Sequence, residues 1–135
     1  MGMFDALNVS ATGLTAERLR MDVTAANLAN ANSTRSANGG PYVRQEVVLQ
    51  AKGSSFQNVL DGVEVAGIVN DPSPGKRVYD PSHPDADAQG FVTMPNVNSV
   101  TEMTDLITET RSYEANAQAL QTAKALYSKT LDVLR

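Results

Sequence analysis

Two seven-residue ladders, one toward each end of the chain, limit what it can fold into more than any single motif does. Phe4, Leu7, Ala11, Leu14, Arg18, Met21, Ala25 and Leu28 follow alternating three-four spacing, with Arg18 the one charged member. Met103, Leu106, Thr110, Tyr113, Ala117, Leu120, Lys124, Tyr127, Leu131 and Leu134 keep the same step. Apolar residues recurring at that interval lie along one side of an α-helix, and a seam so long is the pattern of a coiled coil. Such a side must bury against another helix, so the pattern predicts association.

A second stripe runs along each helix. Val9, Ala16 and Val23 repeat every seven residues on the side roughly opposite Leu7, Leu14, Met21 and Leu28, and Ala119, Leu126 and Val133 do the same in the second segment. A lone two-helix hairpin would bury the ladders and leave these stripes in water, so they predict helices packed on several sides in a multi-subunit assembly. Gly13 in mid-helix costs about 1 kcal/mol relative to alanine and marks a kink or a close backbone contact.

Glycine and proline divide the chain into three. All six prolines and seven of the nine glycines fall between residues 39 and 95, leaving both ends free of proline. The first helix is expected from about Phe4 to Ala29, dissolving where Asn30, Asn32, Ser33 and Thr34 compete for backbone hydrogen bonds. Ser99 and Glu102 have capping-box spacing and set the predicted start of the second helix, with Arg135 placed well for the negative end of its dipole. At about 1.5 Å per residue that helix would be on the order of 55 Å long. Between them, Tyr42 to Gln50 is rich in β-branched residues and Val63 to Val69 alternates, which predicts two or more strands. Asp71 to Gly75 and Asp80 to Pro84 are turn sequences. The expected fold is mainly α. Residues 1–31 and 99–135 would form two long terminal helices pairing as a coiled-coil-like hairpin, one discontinuous domain built from the two ends, with a small, irregular, β-rich middle segment over 32–98.

Composition then excludes several classes. A chain of 135 residues that commits both ends to long helices keeps only about sixty for anything globular, near the lower limit for an independent core. A net charge of -4 and a pI near 4.8 offer no basic stripe to displace counterions from nucleic-acid phosphates. No run of eighteen apolar residues crosses a membrane, and the start Met1-Gly2-Met3-Phe4-Asp5 lacks the basic and apolar regions of a cleavable signal, so it is expected to be retained. The absence of cysteine removes disulfides, thiolate metal sites and thiol nucleophiles together.

Candidate chemistry is sparse. Asp85, Asp87 and Gln89 resemble the opening of a calcium loop, but its twelfth position is Asn96 where a bidentate glutamate is needed. His83 could join Asp80, Asp85 or Asp87 in a metal site, yet one histidine in a turn without other nitrogen or sulfur ligands reads as a solvent-facing turn residue. No serine stands in a nucleophile motif and no phosphate loop is present. The residues themselves predict no catalytic group, no metal and no cofactor.

Five motifs in order point to a known family. Asn27-Leu28-Ala29-Asn30-Ala31-Asn32 follows the first helix. Gly40-Pro41-Tyr42-Val43-Arg44-Gln45 and Val78-Tyr79-Asp80-Pro81-Ser82-His83-Pro84-Asp85-Ala86-Asp87 occupy the middle. Gly90-Phe91-Val92-Thr93-Met94-Pro95-Asn96-Val97-Asn98 precedes the second helix, which carries Arg111-Ser112-Tyr113-Glu114-Ala115-Asn116. Together they resemble the flagellar basal-body rod protein family, and within it the proximal rod subunits. Phe91 departs from the tyrosine often found there, and residues 51–61 match no motif of the family.

The resemblance implies a non-catalytic structural subunit. Its terminal helices would polymerise into the helical drive shaft that transmits motor torque. The subunit-interface residues would be Phe4, Leu7, Val9, Ala11, Leu14, Met21, Val23, Ala25 and Leu28 on the first helix. On the second they would be Met103, Leu106, Tyr113, Ala117, Leu120, Leu126, Tyr127, Leu131, Val133 and Leu134. Asn27, Leu28, Asn30, Pro41, Tyr42, Asp80, Pro81, Met94, Pro95, Asn96, Arg111, Tyr113 and Asn116 carry the family motifs. Expected partners are further copies, other flagellar rod proteins, basal-body components at the rod base, and the type III export apparatus during secretion, with no nucleic acid, small-molecule substrate or membrane insertion. The expected location is the flagellar basal body, beyond the cytoplasmic membrane and periplasmic where the cell has an outer membrane. Two other classes use the same sequence differently: a soluble coiled-coil adaptor or type III effector forming a closed oligomer, and a small metal-dependent enzyme around His83.

Overall fold

A computed structural model describes residues 3–36, 39–52 and 62–133, excluding the side chains of Met3, Phe4, Ala6 and Val133. The first helix, α1, spans Met3–Ala29, and the second, α2, spans Ser99–Val133. Between them lie two antiparallel hairpins. Strands β1 (Gln45–Ala51) and β2 (Val63–Asn70) pair from Gln45↔Asn70 to Ala51↔Val63, with a register shift beyond Val48 that leaves Ala66 as the extra residue of a bulge. Strands β3 (Lys76–Tyr79) and β4 (Phe91–Met94) pair from Lys76↔Met94 to Tyr79↔Phe91. The sequence predicts β1 and β2. It does not reveal β3 and β4, which are four residues each and flank the turn-forming motif. Among the described residues no helix is long and apolar enough to cross a membrane.

The helices lie antiparallel. Asn27 meets Glu102, Thr24 meets Glu109, Met21 meets Thr110 and Gly13 meets Asn116. Each pair of numbers sums to about 130, so the rise of about 1.5 Å per residue carries the partners in opposite directions. At Gly13 a Cβ would stand 3.0 Å from Asn116 Nδ2, so the glycine admits close approach of α2 at a motif residue. The β1–β2 sheet covers another side of α1, and the Thr12 hydroxyl oxygen accepts the amide of Val63 at 3.2 Å.

This arrangement corrects the expectation about which stripe a single chain buries. Ala16 and Val23, read as the outward stripe, are 3% and 8% exposed because they lie between α2 and the sheet. The ladder residues Leu7, Leu14, Met21 and Leu28 are only half-buried, and Ala11, Arg18 and Ala25 are exposed. On α2 the innermost positions are Glu102 and Glu109, one residue ahead of Met103 and Thr110, both exposed. Leu106, Tyr113, Ala117 and Leu120 are half-buried, while Leu126, Tyr127 and Leu131 are exposed. The intramolecular contact line is small and polar, and most of the apolar ladder remains outside it.

The start of α2 differs from the capping-box reading as well. Asn98, not Ser99, is the cap: its Oδ1 accepts the amides of Val100 at 3.0 Å and Thr101 at 3.4 Å, and its carbonyl accepts the amide of Glu102. Glu102 turns inward instead of reaching back toward the Ser99 amide. Residues 53–61, Leu134 and Arg135 lie outside the described residues, as do the side chains of Phe4 and Val133.

Candidate functional site

The chemistry of the chain concentrates where the two helices meet the first hairpin. Asn27, in the last turn of α1, is 1% exposed. Its Nδ2 donates to the Gln45 carbonyl at 2.8 Å and to Glu102 Oε2 at 3.0 Å. Its Oδ1 accepts the Tyr42 hydroxyl and the Gln45 amide, both at 2.9 Å. One amide side chain thereby satisfies α1, the strand entering the sheet and the first turn of α2. Buried polar groups need such partners, and a fully satisfied network fixes one arrangement of its elements.

Arg44 completes this joint. Its Nε donates to Glu102 Oε1 at 2.6 Å, and its terminal nitrogens lie 3.7 Å from Glu46, 3.8 Å from Asp71 and 3.8 Å from Asp105. The hydrogen bond to Glu102, opposed by burial and aided by the charges of Glu102, Glu46 and Asp71, raises the guanidinium pKa above its ordinary value. Burial and then the Glu102 charge push the Tyr42 phenol upward. Asn96 locks the far side: its Oδ1 accepts the Arg44 amide at 2.8 Å, and its Nδ2 donates to the carbonyls of Asp71 and Ser73. Asn27, Tyr42, Arg44 and Asn96, drawn from three separate motifs, are thus one constellation.

A second deck is built on Glu109, about two helical turns along α2 from Glu102. Glu109 is 4% exposed. Its Oε1 accepts the Thr24 hydroxyl at 3.1 Å and lies 3.5 Å from Arg20 Nε, which is too long for a strong hydrogen bond. Its Oε2 meets no donor among the described residues. Burial raises the Glu109 carboxyl pKa, against the opposing pull of Thr24 and Arg20. Both decks open onto a cleft of about 370 Å³ between α1, α2 and β1, walled in part by Val23, Val47 and Leu49.

The acidic turn is organised differently. Asp80 accepts the amide and hydroxyl of Ser82, while Asp87 accepts the amides of Gln89 and Phe91 and pairs with Arg77 at 2.9 Å. Asp85 takes the Thr34 hydroxyl at 2.8 Å and the Arg35 guanidinium. These donors hold all three carboxyl pKa values low. His83 is half-buried, and its Nδ1 accepts the Asp85 amide at 3.1 Å. Each carboxylate is engaged in tying the turn to itself or to the strap after α1. Among the described residues no three acidic or histidine side chains converge on a point where a metal would sit.

The remaining motif residues differ in burial. Pro95 is buried, Leu28, Pro41 and Met94 are half-buried, and Arg111 is exposed. Asn30 Nδ2 donates to the Ala26 carbonyl and closes α1. Glu102 and Glu109 are the residues sequence reasoning missed as a pair. Their seven-residue spacing, continued by Asn116, is a polar ladder one step ahead of the apolar one.

Comparison with known proteins places the chain in a family. A model of the family "Flagella basal body rod protein" matches residues 7–35, which cover most of α1 and the strap after it. A model described as "Flagellar basal body rod FlgEFG protein C-terminal" matches residues 88–133, which cover β4 and α2. The matched segments are the two sides of the joint, and they define the class as flagellar basal-body rod proteins. The chain is 46% identical to flagellar basal-body rod protein FlgC of Bacillus subtilis over 98% of this chain and 99% of that one. It is 42% identical to FlgC of Borreliella burgdorferi over 100% and 99%, and 40% identical to FlgC of Yersinia enterocolitica over 97% of each. The chain belongs to the FlgC family of flagellar basal-body rod proteins.

Proposed function

We propose that this chain is a structural subunit of the flagellar basal-body rod, without catalytic activity of its own. Near-complete coverage of the FlgC relatives at up to 46% identity carries the reading, and the physical arrangement supports it. The joint fastens α1, α2 and the first hairpin with polar contacts, so the apolar ladder is left for other chains. Leu14, Met21 and Leu28 on α1, with Met103, Leu120, Tyr127 and Leu131 on α2, would pack as a coiled-coil-like seam against further copies and other rod proteins. The terminal helices would then act as one discontinuous assembly domain, with the hairpins contacting neighbours. Export through the type III apparatus, contact with components at the rod base and a place in the basal body beyond the cytoplasmic membrane follow from the same reading. Torque would pass between subunits through the interlocked helix faces.

The test is assembly in cells. Leu120→Asp would bury an unpaired carboxylate in the assembled seam at a cost of several kcal/mol, beyond what one interface contact replaces. A strain carrying only this variant is expected to make the protein but no rod and to be non-swimming, whereas Pro84→Ala, at the exposed turn, swims normally. Normal rods in the Leu120→Asp strain would refute this packed face, and basal bodies that never contain the chain would refute the rod assignment itself.

A further inference from the structure

Glu109 carries a buried carboxylate oxygen that meets no donor among the described residues. An unsatisfied charged group in that position is costly, whereas a charge-assisted hydrogen bond to it is among the stronger polar contacts available. The cleft above it has the form of a receptor for a long basic side chain. Val23, Val47 and Leu49 offer apolar wall for a methylene stem, and Asp105 and Glu46 add negative charge to the lining. Arg20 lies 3.5 Å from the other oxygen of Glu109, and Arg44 is already surrounded by four carboxylates, so neither supplies the missing donor.

The distal part of α2 has the complementary pattern. Lys124 is exposed, pairs with no carboxylate among the described residues, and occupies a ladder position between Leu120 and Tyr127, with Leu131 one turn further on. It is an ammonium set in an apolar stripe, matching a carboxylate set between apolar walls. We propose that the cleft is a socket in which Glu109 receives Lys124 of a second copy of this chain. The socket lies at the joint and Lys124 lies toward the opposite end of the helical hairpin, so the contact uses two different surfaces. Such a heterologous contact propagates head to tail instead of closing a dimer. The inference rests on the rod reading and specifies one of its contacts.

Zero-length carbodiimide coupling in isolated basal bodies tests it, because that reagent joins a carboxylate to an amine only where they touch. Glu109 and Lys124 are fifteen residues apart on one helix, about 22 Å at 1.5 Å per residue, so an amide between them reports a second copy. The expected product is a Glu109–Lys124 cross-linked peptide. Glu109→Gln and Lys124→Gln should each lower rod yield by roughly tenfold to a hundredfold, the range of one charge-assisted hydrogen bond, and the double variant should be no worse than either alone. Lys129→Gln should leave the yield unchanged. Circular dichroism of Glu109→Gln separates lost assembly from lost folding. The socket is overturned if Glu109 stays uncoupled or couples only to another protein, or if the two substitutions act additively. The rod reading fails separately, and takes the socket with it, if the chain is absent from basal bodies.

Discussion

Asn27→Asp changes one atom of the joint and keeps its volume, so it isolates hydrogen bonding from packing. The retained Oδ1 still accepts from Tyr42 and Gln45. The new oxygen replaces Nδ2 and faces the Gln45 carbonyl at 2.8 Å and Glu102 Oε2 at 3.0 Å. One neutral hydrogen bond contributes about 1 kcal/mol and one to a charged acceptor about 1.5–3 kcal/mol, and both now end acceptor against acceptor. The loss is expected to be about 3–5 kcal/mol, a large fraction of the roughly 5–15 kcal/mol that holds a domain of this size. Two carboxylates that close cannot both stay ionised, so the pair takes up a proton more readily folded than unfolded. A folded-state pKa raised in this way means the variant recovers stability as pH falls. Urea unfolding followed by circular dichroism measures the gap, which should be widest near about pH 7 and narrow toward about pH 4. Asn32→Asp makes the same chemical change at an exposed site and should cost no more than about 0.5 kcal/mol. A cost for Asn27→Asp below about 1 kcal/mol, or one independent of pH, would show that the joint does not hold the helices together.

Two further perturbations probe the corrected helix start and the second deck. Asn98→Ala should cost about 1 kcal/mol of stability and Ser99→Ala about 0.5 kcal/mol or less in a thermal melt, and the reverse order would restore the capping-box reading. For Glu109→Gln, burial has raised the native carboxyl pKa, so the glutamate's contribution is present below its unfolded value and lost as pH rises through the folded one. The melting midpoint of the variant relative to the native chain should therefore climb from acid toward neutral pH. The low-pKa aspartates Asp71, Asp80, Asp85 and Asp87 drive the opposite trend, but equally in both chains, so a flat difference would refute the assignment to Glu109.

Helix existence was legible because period and punctuation agree: no proline interrupts residues 3–29 or 99–133, and the expected end at Ala29 is where Asn30 closes α1. The inner face was not legible, because a hydrophobic ladder records every partner a helix will meet, including other chains. On α1 the bulky residues Leu7, Leu14, Met21 and Leu28 outweigh Ala16 and Val23 in any such reading. The single chain nevertheless turns the smaller stripe inward, where α2 and the sheet can both approach closely. Asn27, Tyr42, Arg44 and Asn96 were visible as separate motif residues, but their union depends on contacts up to 75 residues apart, as in Asn27 with Glu102. Glu102 was misassigned because a glutamate three residues after a serine satisfies the capping pattern as well as it satisfies a buried ion pair, and local spacing carries no burial information. A polar joint suits a chain whose apolar helix faces are its product. Hydrogen bonds and the Arg44–Glu102 pair orient the two helices while leaving the ladder leucines Leu7, Leu14, Leu28, Leu106 and Leu120 only half-buried, and in the proposed rod these would pack against the next subunit. Exchanging the joint for an apolar core of equal volume would hold the hairpin as tightly, but a greasy contact tolerates sliding by a turn, whereas Asn27 has one set of four partners and therefore one register to hand on along the shaft.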